Sequence, residues 1–212
     1  MYKVLDKDTI EMEIVPHIPL PKRGFAPTAP LCEIVNAILY KLKTGVLWEY
    51  LPTTSLFSQK VLSWQSVYHH YRKWCRSGTF LDCWTGILKR YRDMFDLSSV
   101  DLDGSHTPAI RGGEAVEYQG RKKGRTTNAL FLTDRQGLPL AMSEPVSGNH
   151  NDLFDIEVQF EVVTATLDRA DIKTQGLFLN ADAGFDSKDF RSACARRDIN
   201  ANICFNKRNG SV

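Results

Sequence analysis

The chain has 212 residues, a formal net charge of +2, 42% hydrophobic and 25% charged residues, the composition of a globular chain with one ordinary domain and a smaller one. So small a net charge singles out no partner, so the placement of the basic residues carries that argument. Five cysteines (Cys32, Cys75, Cys83, Cys194, Cys204), odd in number and without a Cys-x-x-Cys, argue against a disulfide framework or zinc ribbon and fit a reducing cytoplasm. The first residues lack the apolar core of a signal peptide, and no apolar run is long enough to span a membrane.

Residues 1–30 hold Pro16, Pro19, Pro21, Pro27 and Pro30, with Lys22-Arg23-Gly24 among them. Repeated proline removes backbone donors and fixes φ, which predicts an extended arm. From Leu31 the spacing turns helical: Leu31, Ile34, Val35, Ile38, Leu39 and Leu42 form one apolar stripe, Lys41 and Lys43 suit the last turn, and Gly45 the stop. After an aromatic connection, Trp48 to Pro52, and a polar loop, a second helix sets Trp64, Val67, Tyr68, Tyr71, Trp74 and Cys75 inward and ends at Gly78. Beside that face lie His69, His70, Arg72, Lys73 and Arg76. A third helix turns Phe80, Leu81, Trp84, Ile87, Leu88 and Tyr91 inward and Lys89, Arg90 and Arg92 outward. Short helices with basic outer faces over 31–95 read as a helix-turn-helix-like DNA-binding module or as a plain bundle with solvated cations. The aromatics read as core.

From Leu97 the chain switches to strands. In Ser99 to Ala109, Val100 and Leu102 alternate with Asp101 and Asp103, so both carboxylates share one strand face, and Gly104 then permits a bend. Alone, such a strand is as well read as exposed with solvated acids. A second apolar strand, Leu177 to Ala181, ends in Asp182-Ala183-Gly184. Two strands each finishing in aspartate can lie side by side and aim both carboxylates at one point. Between them come a polar loop from Ile110 to Gly120, the basic run Arg121-Lys122-Lys123-Gly124-Arg125, and a hairpin of strands Thr126 to Thr133 and Leu138 to Ser143 around Gly137. Then follow the loop Gly148-Asn149-His150-Asn151-Asp152, read as a turn and helix cap or, alternatively, as metal ligands or a histidine nuclease motif through His150 and Asp152, and a helix with Leu153, Ile156, Phe160 and Val163. Beyond Asp182, Asp186 is expected to cap a helix over Ser187 to Arg197, and Ile199 to Phe205 is the last strand.

These pieces resemble the transposases of bacterial insertion sequences, of the DDE type related to the insertion sequence five group. The resemblance rests on Ala37 to Gly45 with Trp48 and Leu51-Pro52, Trp64 to Tyr68, Asp103-Gly104-Ser105, Gly124 to Thr127 leading into Gly137 to Leu140, Gly148 to Asp152, and Ala181 to Asp186, in that order over about residues 30 to 208. It implies an α+β protein: a small helical module followed by a ribonuclease-H-like mixed sheet with flanking helices, over 96–212, in which the first and fourth strands are adjacent. It implies catalytic, metal-holding roles for Asp103 and Asp182, with Mg2+ or Mn2+ as cofactor and double-stranded DNA at transposon ends as partner. Phosphates would be met by Arg72, Lys73 and Arg76 and by Arg121, Lys122, Lys123 and Arg125. His106, near the first aspartate, is a further candidate to approach DNA or metal. The chemistry asks for paired acids because two ions about 3.5–4 Å apart activate the nucleophile and stabilise the leaving oxygen of an in-line displacement.

The family pattern departs here in one respect. Its third carboxylate is a glutamate on a helix after the last strand, and no Glu follows Glu161. The sequence therefore predicts a chain lacking the third carboxylate and the last helix, with the last strand uncovered near Ile203 and Phe205. A second copy or a partner chain would supply what is lacking. Three functions remain open: a transposase that cleaves and joins insertion-sequence ends, a catalytically inactive DNA-binding regulator of transposition, and a metal-dependent nuclease on the same fold.

Overall fold

A computed structural model describes residues 3–19, 27–109 and 112–207. The arm residues 20–26 with Lys22-Arg23-Gly24, the loop residues Ile110 and Arg111, and the tail 208–212 lie outside the described residues. The chain divides into two units, Met1–Ile87 and Leu88–Val212, so the boundary falls within the third predicted helix rather than after it.

The first unit is helical: α1 (Lys7–Glu13), a 3-10 turn Val15–His17, α2 (Leu31–Thr44), a 3-10 turn Trp48–Tyr50, α3 (Thr53–Leu56), α4 (Trp64–Arg76) and α5 (Thr79–Tyr91), which crosses the boundary. The expected extended arm is corrected by this structure. Asp6 caps α1 by accepting the Thr9 backbone N–H at 2.8 Å, and Ile10 and Ile18 are 1% and 7% exposed. The reason lies in α2. Its stripe was expected to face one way, but every residue from Cys32 to Ile38 is buried, and a helix buried all round needs cover on both sides. Polar groups on its second face are matched: Asn36 Oδ1 accepts the Val4 N–H at 2.9 Å, and Glu33 accepts from the Ser58 backbone and hydroxyl. Gly45 ends α2 with φ +69° and donates to Lys41 O, as its position after the last apolar residue predicts.

The aromatics are core. Trp48 packs against Tyr68 and Tyr71 at 5.1 and 5.3 Å, and Phe80 against Tyr71 and Trp74, distances typical of interlocked rings. Two inward assignments change. Cys75 is exposed, and in α5 Leu81 is exposed while Cys83 turns inward toward Ile14 O.

The second unit is a mixed sheet with two helices. Its strands are β1 (Val100–Pro108), β2 (Glu117–Gln119), β3 (Gly124–Asp134), β4 (Pro139–Met142), β5 (Val146–Ser147), β6 (Phe178–Ala181) and β7 (Asn200–Ile203), with α6 (Ile156–Arg169) and α7 (Lys188–Arg196). β2 falls in the stretch expected to be a loop. The order is β2-β3-β1-β6-β7, with β4 and β5 also on β3. β1 and β3 are antiparallel, whereas β1, β6 and β7 are parallel. Asp134, fully buried, builds the predicted hairpin turn: its carboxylate accepts the N–H groups of Asp96, Gln136 and Leu138. One sheet face, with Val100, Leu102, Leu132 and Leu179, joins Phe160, Phe185 and Phe190 in the core. Phe190 meets Phe160 edge-on at 5.1 Å. Ile203, expected to be uncovered, is buried, while Phe205 is half exposed.

All four tryptophans fall in the first unit, so their fluorescence reports on it. Ile10→Ala is expected to destabilise that unit by about 2–4 kcal/mol, read as a lower urea midpoint. An unchanged midpoint would mean that α1 does not seal α2.

Candidate functional site

The site is built by one pairing. β1 alternates buried and exposed residues, so Asp101 and Asp103 point away from the core. β6 runs parallel beside it with Val100 opposite Leu179 and Asp101 opposite Asn180. Paired residues in a ladder share a face, and the side chains agree: the Asn180 amide donates to Asp101 Oδ1 at 2.8 Å. On β7, opposite Asn180, Asn202 donates its amide to Asn180 Oδ1 at 2.7 Å. A polar chain of Asp101, Asn180 and Asn202 thus crosses three strands on the solvent face.

Two residues further along both strands stand Asp103 and Asp182. The β1–β6 pairing has ended by then: Asp103 stands within β1, and Asp182 directly follows Ala181 at the carboxyl end of β6. That is where open sheets with parallel strands receive ligands. β1 itself does not end at Asp103, as expected from Gly104, but runs on to Pro108 against β3. Each aspartate is braced by the backbone after it. Asp103 Oδ1 accepts the Gly104 N–H at 2.8 Å, and Asp182 Oδ1 accepts the Gly184 N–H at 2.7 Å, capping the 3-10 turn Ala183–Phe185. A Cβ at Gly184 would lie 2.8 Å from that oxygen, so a larger residue there would shift the Asp182 carboxylate. Both carboxylates are exposed, and their oxygens are hard donors of the kind magnesium and manganese take. Among the described residues, no group of three or more His, Cys, Asp or Glu side chains is arranged to hold a metal ion, so the pair stands by itself.

Three neighbouring expectations change. His106 is an odd number of residues from Asp103, so it lies on the opposite face, with Nδ1 3.2 Å from Thr126 Oγ1. Asp186 does not cap α7. Ser187 does, its Oγ accepting the Phe190 N–H, while buried Asp186 binds Arg191 and the Asn206 N–H at 2.8 Å. Asp152 caps no helix either: its carboxylate accepts the Asn128 amide at 2.8 Å. The amide chain of Asn180 and Asn202 was missed, although both sit at alternate positions in apolar strands, Leu-Asn-Ala and Asn-Ala-Asn-Ile. Only the register reveals that they meet.

The seven basic candidates are all exposed and form two sets, one in each unit. Arg72, Lys73 and Arg76 line a shallow groove along α4 with Gln65 and His69, and the Arg72 guanidinium lies over the Tyr68 ring. Burial first, then the neighbouring His69 and Lys73, holds the His70 imidazole below its usual value. The lowered value favours the neutral imidazole of His70. Arg121, Lys122 and Lys123 form the tip between β2 and β3, where Lys123 takes a left-handed conformation (φ 50°) and donates its N–H to Gly120 O. Arg125 follows at the start of β3.

Residues 12–84, the helical part, match the family described as "Putative transposase of IS4/5 family". The resemblance to insertion-sequence transposases holds over this segment. None of the curated proteins matches the chain. Solved structures similar to it include a Mos1 transposase paired-end complex with the left transposon end, 12% identical over 87% of this chain and 61% of that one with TM-score 0.37. Another is the Mos1 mariner paired-end complex with Mn, 13% identical over 92% and 65% with TM-score 0.36. The chain therefore spans less than two thirds of the length of either. Among the described residues, no helix is long and apolar enough to cross a membrane.

Asn180→Asp would set two carboxylates side by side on β1 and β6. Like charges directly opposite destabilise by about 0.2–1 kcal/mol. The variant should melt below the parent at pH 7 and approach it near pH 4, where one carboxyl takes a proton and donates in place of the amide. Equal melting at both pH values would show that the Asp101–Asn180 contact does not hold the strands.

Proposed function

We propose that the protein is a DDE-type DNA transposase of insertion sequences, whose second unit acts as a ribonuclease-H-like core and whose helices α2, α4 and α5 form a helix-turn-helix-like DNA-binding module. The observation that supports this reading is the parallel β1–β6 register, which pairs Asp101 with Asn180, the residues two before Asp103 and Asp182. The sheet order supports it, since the first long strand is antiparallel to the hairpin strand and parallel to the strand bearing the second aspartate. The family match over 12–84 supports it independently.

In this reading Asp103 and Asp182 hold Mg2+ or Mn2+, and each basic set meets phosphates of transposon-end DNA. A divalent ion there would activate the attacking water or 3′ hydroxyl and stabilise the leaving oxygen. The residues of this chain provide the hard ligands, brace them through Gly104 and Gly184, and neutralise phosphates with Arg72, Lys73, Arg76, Arg121, Lys122, Lys123 and Arg125. Asp101, on the same face of β1, is engaged by the Asn180 amide, and among the described residues no group of three or more His, Cys, Asp or Glu side chains is arranged to hold a metal ion, so we read this chain as binding ends and needing a further carboxylate to cut or join them. That same observation favours a second reading, a regulator that occupies transposon ends.

Manganese titration followed by electron paramagnetic resonance tests the site. Weak binding by the parent is expected, and loss of it in Asp103→Ala with Asp182→Ala. Unchanged binding in the double variant would overturn the assignment.

DNA binding is expected to weaken steeply with salt, because each phosphate contact releases condensed counterions. Lys122→Ala with Lys123→Gly, the glycine chosen to keep the left-handed turn, should weaken binding to every sequence. It should also lower the slope of log K against log salt by about 2, at about 0.9 per phosphate contact. A variant that binds as tightly as the parent would remove the hairpin tip from the interface. Nicking of end DNA by the purified parent, abolished in Asp103→Ala, would show that two aspartates suffice.

A further inference from the structure

The loop between β5 and α6 is bound to the sheet at two points where a side chain is forbidden. Gly148 donates its N–H to Thr126 O at 3.0 Å, and a Cβ at Gly148 would fall 2.2 Å from that carbonyl. Its own carbonyl accepts the Gln119 amide at 2.8 Å. Four residues later Asp152 lies against Gly104: a Cβ there would fall 2.0 Å from Asp152 Oδ1. The carboxylate thus occupies the space a side chain at residue 104 of β1 would fill. The same Oδ1 accepts the amide of Asn128, which is 1% exposed and stands on β3 opposite His106. Asp152 therefore joins β1, β3 and the loop at one point, on the face of the sheet opposite the Asp103 carboxylate. Gly104 in turn donates its N–H to Asp103 Oδ1.

We propose that Asp152 is a positioning residue for Asp103. Resting on the metal reading of the Asp103–Asp182 pair, it clamps Gly104 from behind, and the Gly104 N–H then holds the Asp103 carboxylate toward Asp182. Asp152 makes no contact with the reacting groups. Its effect passes through one backbone residue, as outer partners of metal ligands commonly act. Glycine at 104 is explained by the same contact, because any other residue would displace the clamp. What this clamp needs from Asp152 is shape and one acceptor oxygen, and asparagine retains both.

The test compares Asp152→Ala and Asp152→Asn in the full chain, with Asp152→Ser in place of alanine if that variant does not fold. Two readouts are taken: the Kd for Mn2+, and amide hydrogen exchange at Gly104. Alanine should raise the Kd about tenfold and speed Gly104 exchange about tenfold, while asparagine stays near the parent in both. A variant that only lowers Tm, with Kd and exchange unchanged, would make Asp152 a structural residue and overturn the proposal. So would asparagine as damaging as alanine, since the charge itself would then be acting. Failure of the metal reading is separate: Asp103→Asn and Asp182→Asn would leave Mn2+ binding unchanged, and Gly104 exchange alone would still decide whether Asp152 positions Asp103.

Discussion

The parallel pairing of β1 with β6 is the contact on which the rest of the second unit depends. Two backbone pairs, Val100 with Leu179 and Asp101 with Asn180, set the register of strands far apart in sequence. A shift of one residue would turn every side chain of β6 to the other face. Leu179 would leave the core, and Asn180 would leave the face of Asp101. Burial and site geometry are therefore set by one choice. Leu179, 1% exposed, drives the register by burial, and the Asn180 amide reads it out on the wet face.

The two faces of this sheet follow different physics. The inner face is apolar and closed by α6 and α7, with ring-on-ring contacts among Phe160, Phe185 and Phe190. α6 and α7 are tied at the surface by Arg196 with Glu157 and by Arg197 with Glu161 and Asp168. Exposed pairs of this kind contribute little individually, so the buried aromatic rings do more to hold the two helices together. The outer face carries acids and amides in a row. Carboxylates there remain hydrated, and holding them in place costs hydrogen bonds from neighbouring backbone.

In the first unit the decisive constraint is the burial of α2 on both sides. A single stripe of apolar residues implied one partner face. The structure supplies two, and polar Glu33 and Asn36 are buried only because Ser58 and the backbone of Val4 reach them. The short α1 has one buried residue, Ile10. Its stability comes from docking, which is why proline content alone misjudged the stretch.

Much was legible in the sequence because it depends on local chemistry. Helical spacing and glycine stops located α2, α4 and α5. The Asp134 to Gly137 turn located the hairpin, and period-two alternation put Asp101 and Asp103 on one face. Asp103 and Asp182, the proposed pair, stand out in the sequence, each beside an apolar run that leads into a glycine. What the sequence by itself could not determine is long-range: that Asn180 and Asn202 continue the row from Asp101, that Asp152 rests on Gly104, that Asp186 holds the chain after β7 rather than capping α7, and that residues near the N-terminus seal α2. Each is a contact between groups many residues apart whose local patterns allow another use, and only the packed structure, in which buried polar groups must find partners, decides among them.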